Sequence, residues 1–353
     1  MISQGIKSLI ICIALSMISL AVPADFFSME KSPLDYKTFS FYLENDVFNG
    51  TDREYTNGVK LTWISQDLSD YREDTQVPEW SYPIIERLPF VNEPGLQRNV
   101  SFSIGQNMYG PEDIEQTELI TDERPYAGIT YLDVGFHSKN SMKMDSINMT
   151  LGILGPHSYS EDTQKTVHRW LDSTDPKGWD YQLKDEPILN LYLERKRKFF
   201  GSILGNGFAY DFIPHLGCSL GNAYTAGHLG GQARFGWNLP RDFGTFLIRP
   251  GSETNAPMDK QDPRFYPRFH RLGIHIFAGL DASAVAWNVL LDGNTFRDSH
   301  SVDKKPLVGN FIMGVGIILH RLKISYAHVY RTKEYDTQRE EQRYGSVTIS
   351  FSY

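Results

Sequence analysis

Two cysteines in 353 residues, Cys12 and Cys218, cannot build a disulfide framework, and Cys12 lies within a leader-like N-terminal segment. An exported chain left with one thiol must take its stability from another source. Past residue 24 no continuous apolar run is long enough for a transmembrane helix, and the mean hydropathy is negative. Such averages describe a soluble chain, but also a β-barrel in which only every second residue faces lipid. The familiar catalytic signatures are missing as well: there is no Gly-x-Ser-x-Gly elbow, no His-Glu-x-x-His and no phosphate-cradling Gly-rich loop. Serine hydrolases of the usual type are therefore unsupported. Basic aromatic patches are also lacking, and with a formal charge of −8 no nucleic acid partner is expected. That acidic balance suits a surface that gathers divalent cations.

What is present begins with an address. Residues 1–24 combine Lys7, the apolar run LIICIALSMISLAV and a Val-Pro-Ala ending at Ala24, the pattern of a secretory signal peptide cut before Asp25. Its removal takes Lys7 away and the formal charge from −8 to −9. Residues 25–353 are then expected to form a single domain.

Strand-like alternation fills that domain. Segments 38–48, 55–65, 98–109, 126–138, 143–154, 188–199, 207–216, 226–237, 271–292, 307–319, 322–331 and 344–353 read as strands. Their length fits tilted membrane-spanning strands better than those of a soluble sandwich. The last, YGSVTISFSY, alternates strictly and ends on an aromatic, which suits a closing strand that leaves no edge. The expected fold is all-β, a transmembrane antiparallel β-barrel of twelve strands. Segment 271–292 is long enough for two strands, but reading it as one keeps the count even and both termini periplasmic. Segments 49–54, 110–125, 155–187, 217–225, 293–306 and 332–343 then lie outside the cell. Two long inner segments, 66–97 and 238–270, sit poorly with the short turns usual on that side, and the first contains PEWSYPIIERLPF, a possible plug or periplasmic helix.

One helix stands out, in GPHSYSEDTQKTVHRWLDS of the outer segment. Ser158 or Ser160 would cap it, while Glu161 and Asp162 favour its dipole. Gln164 and His168 share a face at i, i+4, and Val167, Trp170 and Leu171 offer an apolar stripe for docking. Topology gathers further polar residues at the same end: Asn45, Asp46, Asp52, Tyr55, Thr56, Arg124 and Tyr126. Each also has an ordinary reading. Asn45 and Asp46 suit a strand end, Tyr55 and Tyr126 an aromatic girdle, and His168 a solvated helix face.

In combination, ENDVF, TDREYTNG, ERPYAG, LGILGPHS, QKTVHRW, PKGWDYQLKDEP and LDGNTF resemble the lipid A deacylase family of the outer membrane, the LpxR type, from about Thr38 to Tyr353. The resemblance implies an active site between the outer barrel wall and a helix of an extracellular loop. It also implies a calcium-dependent ester hydrolase that removes the 3′-linked acyloxyacyl chain from lipid A. On this pattern His168 matches the general base and Gln164 its partner, while Asn45, Asp46 and Thr56 match essential polar residues. Asp46 and then Asn45 are the expected Ca2+ ligands. Segment 110–123 is acidic where some members carry basic residues, so Arg124, Tyr126, Lys165 and Arg169 are the candidates for contacting lipid A and its phosphates. The chain is expected to work as a monomer in the outer membrane, its site facing outward. Two alternatives stand beside this reading: an outer-membrane phospholipase or other acyl esterase, and a non-catalytic porin or adhesin.

Overall fold

The computed structural model describes residues 36–46, 55–68, 79, 82–87, 93–202, 207–259, 261–265 and 271–353. The signal-peptide reading, Asp52 and most of the inner segment 66–97 lie outside the described residues. Twelve strands follow one another: β1 (Thr38–Asn45), β2 (Tyr55–Ile64), β3 (Gln97–Tyr109), β4 (Ala127–Lys139), β5 (Lys143–Leu154), β6 (Glu186–Arg197, resuming past Lys198 as Phe199–Ser202), β7 (Phe208–Gly221), β8 (Tyr224–Trp237), β9 (Leu272–Asn288), β10 (Leu307–Leu319), β11 (Leu322–Arg331) and β12 (Gln342–Ser352). Each pairs antiparallel with the next, and β12 closes on β1 in unbroken register from Thr38↔Ser352 to Asn45↔Gly345. The sheet has no free edge. The start of β1 and the end of β12 stand at one end of the barrel, and the described site candidates gather at the far end.

Two details differ from the sequence reading. Segment 217–225 is not a loop, because β7 and β8 run on to a two-residue turn at Asn222 and Ala223. Asn190 of β6 fixes that turn by accepting from the backbone N–H of Ala223 at 3.0 Å and of Tyr224 at 3.1 Å. The long segment after Arg271 is one strand, as parity required, but it bulges between Val285 and Trp287 and ends in a helical turn, Val289–Asp292. That turn is capped by the Asn288 side chain, which accepts from Leu290 N at 3.1 Å.

Alternation sorts the two faces. Trp63, Ile104, Leu132, Leu280 and Ile317 point outward and are exposed, as a lipid-facing belt requires. Inward residues are polar and meet across strands: Ser40 with Ser350 at 2.8 Å, Thr62 with Ser103 at 2.9 Å, and Ser101 with His137 at 2.8 Å.

The second inner segment turns back into this polar lumen and plugs it. Asp242 receives Arg234 of β8 at 2.6 Å, Lys323 of β11 at 2.7 Å and Arg264 of its own segment at 3.1 Å. Glu253 pairs with Lys60 of β2, and Arg249 reaches Asp281 of β9 at 2.6 Å and Glu194 of β6 at 3.2 Å. Tyr42 donates to Ser252 O at 3.1 Å. Charges that would be unstable alone in a barrel interior are thereby paired from strand to plug. The second inner segment thus occupies the lumen and is tied to strands on several sides of it.

Candidate active site

The helix α1 (Ser160–Leu171) follows a 3₁₀ turn at Pro156–Ser158 and packs on the outer face of the wall. The 3₁₀ turn lies on β5 and β4, and the helix on β4 and β3, so the segment progresses around the barrel toward β2 and β1. Outward side chains of the wall hold its start: Gln106 Nε2 and the Thr130 hydroxyl both donate to Ser158 O at 2.7 Å. At Gly128 the helix comes so close that a Cβ would lie 2.1 Å from Ser160 Oγ. Only a residue without a side chain permits that approach.

Neither serine caps the helix. Tyr159 occupies the cap position with φ of 56°, and no side chain bonds there. The docking face also differs from expectation. Trp170 is 68% exposed and Val167 only half-buried, whereas Ser160, Gln164 at 2% and His168 at 6% exposure face the barrel. The helix turns its polar stripe to the wall, the reverse of a helix docked by apolar packing. The side chain of Leu171 lies outside the described residues.

That polar stripe is held from behind. Gln164 Oε1 accepts from the indole N–H of Trp179 at 2.8 Å, and Trp179 is buried against Tyr126 with ring centroids 4.8 Å apart. His168 Nδ1 lies 2.5 Å from the carbonyl of Thr174. A carbonyl can only accept, so Nδ1 carries the proton and Nε2 of the neutral ring is the basic nitrogen.

The register supplies the opposing side. Asn45 of β1 stands opposite Asn57 of β2, Asn57 opposite Met108 of β3, and Met108 opposite Gly128 of β4. This row is about 14 Å long over three strand spacings. Eight residues from Ser160 to His168 cover about 12 Å along a helix. The row beginning at Asn45 runs along the wall to Met108 and Gly128, on the two strands β3 and β4 that α1 contacts. Thr56 is the extra residue of a bulge between Tyr55 and Asn57, a feature that re-aims side chains; its own side chain lies outside the described residues. Asp46 follows β1 directly and is 1% exposed.

Other candidates are placed elsewhere. The Arg124 guanidinium is buried beside Glu334 at 3.3 Å and over the ring of Tyr109 at 5.4 Å, so it is engaged within the loops of the far end. Tyr126 is not a girdle residue: it is buried under Trp179 and donates to Ile114 O at 3.2 Å. Tyr55 is likewise inside, donating to Glu44 at 2.9 Å. Lys165 pairs with Glu161 one turn earlier at 2.6 Å, which holds its ammonium above the ordinary lysine value. Arg169 is exposed and donates to Lys165 O at 3.2 Å.

Sequence reasoning missed Trp179, Thr174 and Asn57 as site residues. Trp179 and Thr174 lie around the PKGWDYQ motif, whose place beside the helix only the folded loop reveals. Asn57 Oδ1 is buried with no hydrogen-bond partner. For a cation the fit is chemical: Asp46, Asn45 and Asn57 offer carboxylate and amide oxygens without a thiol, and an orphaned buried oxygen lies among them. Among the described residues no group of three or more His, Cys, Asp or Glu side chains could hold a metal ion.

The solved structure of LpxR from Salmonella typhimurium superposes with a TM-score of 0.69 at 17% identity, covering 89% of this chain and 99% of that one. The β domain of the Bordetella autotransporter Brka is aligned at 8% identity with a TM-score of 0.41, covering 90% and 98%. No curated protein sequence matches the chain. A family model described as outer membrane protein LpxR matches residues 9–353, and the chain therefore belongs to the LpxR family of outer membrane proteins.

Proposed function

We propose that the protein is a calcium-dependent lipid A deacylase that hydrolyses the 3′-linked acyloxyacyl ester at the outer face of the outer membrane. The observation that carries this reading is the tautomer of His168, whose Nδ1–H is committed to Thr174 O and whose basic Nε2 belongs to the helix face docked on the wall. Nε2 takes a proton from water as the oxygen attacks the ester carbonyl, then returns it to the departing sugar alkoxide. Gln164, held by Trp179, orients the reactants beside the imidazole. Asp46, Asn45 and Asn57 would hold the cation, which when bound supplies positive charge to the carbonyl oxygen as it becomes an oxyanion. Thr56 stands on the bulge next to these ligands. Lys165 and Arg169 on α1 would meet lipid phosphates; Arg124, buried beside Glu334, would support the site by ordering the loops rather than by touching phosphate. The protein acts as a monomer in this reading, since helix and wall come from one chain.

Expression in a host with hexa-acylated lipid A, followed by mass spectrometry of the lipid, tests it. Wild-type protein with calcium should remove one acyloxyacyl unit, while His168→Ala or chelation should leave the lipid unchanged with the barrel folded. Unaltered lipid A with the folded wild-type protein and calcium would refute the proposal. Fatty acid released from phospholipid instead would select the esterase alternative.

A further inference from the structure

The lumen holds a cavity that the outer-wall site does not use. Its volume is about 240 Å3, between the plug at Leu247–Pro250 on one side and Ala223, Leu290 and Glu334 on the other. At the liquid volume of water this is room for about eight molecules, or for one six-carbon sugar. Tyrosines form much of its wall: Tyr109, Tyr131, Tyr192 and Tyr224.

Its charges are already matched. Arg249 is taken by Asp281 and Glu194. Arg331 bonds Asn310 at 2.8 Å and Tyr344 at 2.9 Å, and lies 3.7 Å from Glu334. An anion or cation entering would have no surplus counter-charge, and its desolvation would go uncompensated. Neutral hydrogen-bonding capacity, however, is left over. His228 is 6% exposed, its Nδ1 bonds Ser283 at 2.9 Å, and its Nε2 is buried with no partner. Asn107 lines the same cavity with a buried Oδ1 in the same state. The His228 ring is fixed between Tyr192, centroids 5.6 Å apart, and Tyr224, at 5.8 Å.

We propose that this lumenal cavity binds a small neutral polyhydroxyl compound, a free pyranose sugar. Hydroxyl groups would satisfy His228 Nε2 and Asn107 Oδ1, and the apolar face of the ring would lie on tyrosine. Because the strands separate the cavity from the bilayer, the ligand is a free sugar and not a lipid headgroup. The site is independent of the deacylase reading.

Saturation-transfer NMR on the full-length barrel in detergent, with methyl α-glucopyranoside as probe, tests it. The sugar should receive magnetisation from wild-type and from His168→Ala protein, whereas glucose 6-phosphate should not. His228→Leu and Asn107→Leu, each checked for folding by heat-modifiable gel mobility, should bind about threefold to tenfold more weakly, the equivalent of one lost hydrogen bond. Absence of transfer to the neutral sugar from folded wild-type protein overturns the proposal and leaves water as the occupant. Equal binding by both folded variants, or of the phosphorylated sugar, overturns it too.

Discussion

Trp179 donates its indole N–H to Gln164 Oε1 at 2.8 Å, joining a loop residue 15 positions downstream to the buried face of α1. The bond fixes the amide on the helix turn that precedes His168. Trp179→Phe keeps the aromatic contact with Tyr126 and removes only the donor, leaving Gln164 free to rotate. A neutral hydrogen bond contributes about 0.5–1.5 kcal/mol, so the deacylation rate should fall roughly threefold to tenfold with little change in barrel stability. Initial rates by mass spectrometry, beside the unfolding temperature, measure both; an unaltered rate would show that the indole only packs.

Gly128 governs how closely α1 approaches the wall. A Cβ there would meet Ser160 Oγ at 2.1 Å, Ser160 Cβ at 2.2 Å and Ser158 Oγ at 2.4 Å. Gly128→Ala should lift the start of the helix and cut activity by at least about tenfold, the factor given by 1.4 kcal/mol of lost positioning. The double variant Gly128→Ala with Ser160→Gly removes two of those three clashes and should recover part of the rate. Full activity in the single variant would mean that the helix does not need this contact.

The strands were legible because period-two alternation is a local property, visible in YGSVTISFSY without any knowledge of partners. Even the single long strand before Asn288 followed from parity. The turn at Asn222 was not legible, since it depends on Asn190, 32 positions earlier in sequence and adjacent only in the closed sheet. The docking face of α1 was misread for a related reason. Val167 and Trp170 form a stripe that in water would be buried, but beside a membrane the apolar face can point away from the protein and the polar face inward. The plug formed by segment 238–270 was not legible, although the inward charges Lys60, Glu194, Arg234 and Lys323 need the partners it supplies. Their partners lie too far away in sequence for spacing to identify them. His168 and Gln164 were legible as a pair at i, i+4; Thr174, the residue that sets the tautomer, was not.

Asp242 is the hub of the plug, with three cations around one buried carboxylate. Asp242→Asn leaves Arg234, Arg264 and Lys323 under-compensated, and breaking a buried pair from one side costs about 3–5 kcal/mol. Urea unfolding followed by gel mobility should show a loss of that order. Planar-bilayer recording should reveal ion conductance in the variant and none in the wild type. A closed, equally stable variant would show that other contacts hold the plug.

Acid should act on the same hub. Burial raises the proton affinity of the Asp242 carboxyl, but Lys323, Arg234 and Arg264 outweigh it and hold the group well below the ordinary carboxylate range. With a folded value below the unfolded one, the unfolded state binds the proton first as pH falls. The stabilisation is therefore complete well above the ordinary carboxylate value of 3.8. Below that value it drains away progressively toward the lower folded-state value. Conductance should thus stay absent at neutral pH and appear in strongly acidic solution, and Asp242→Asn should weaken this pH dependence. Recording both proteins across the range tests the linkage. Conductance that appears at alkaline rather than acidic pH would assign the plug to a group other than this carboxylate.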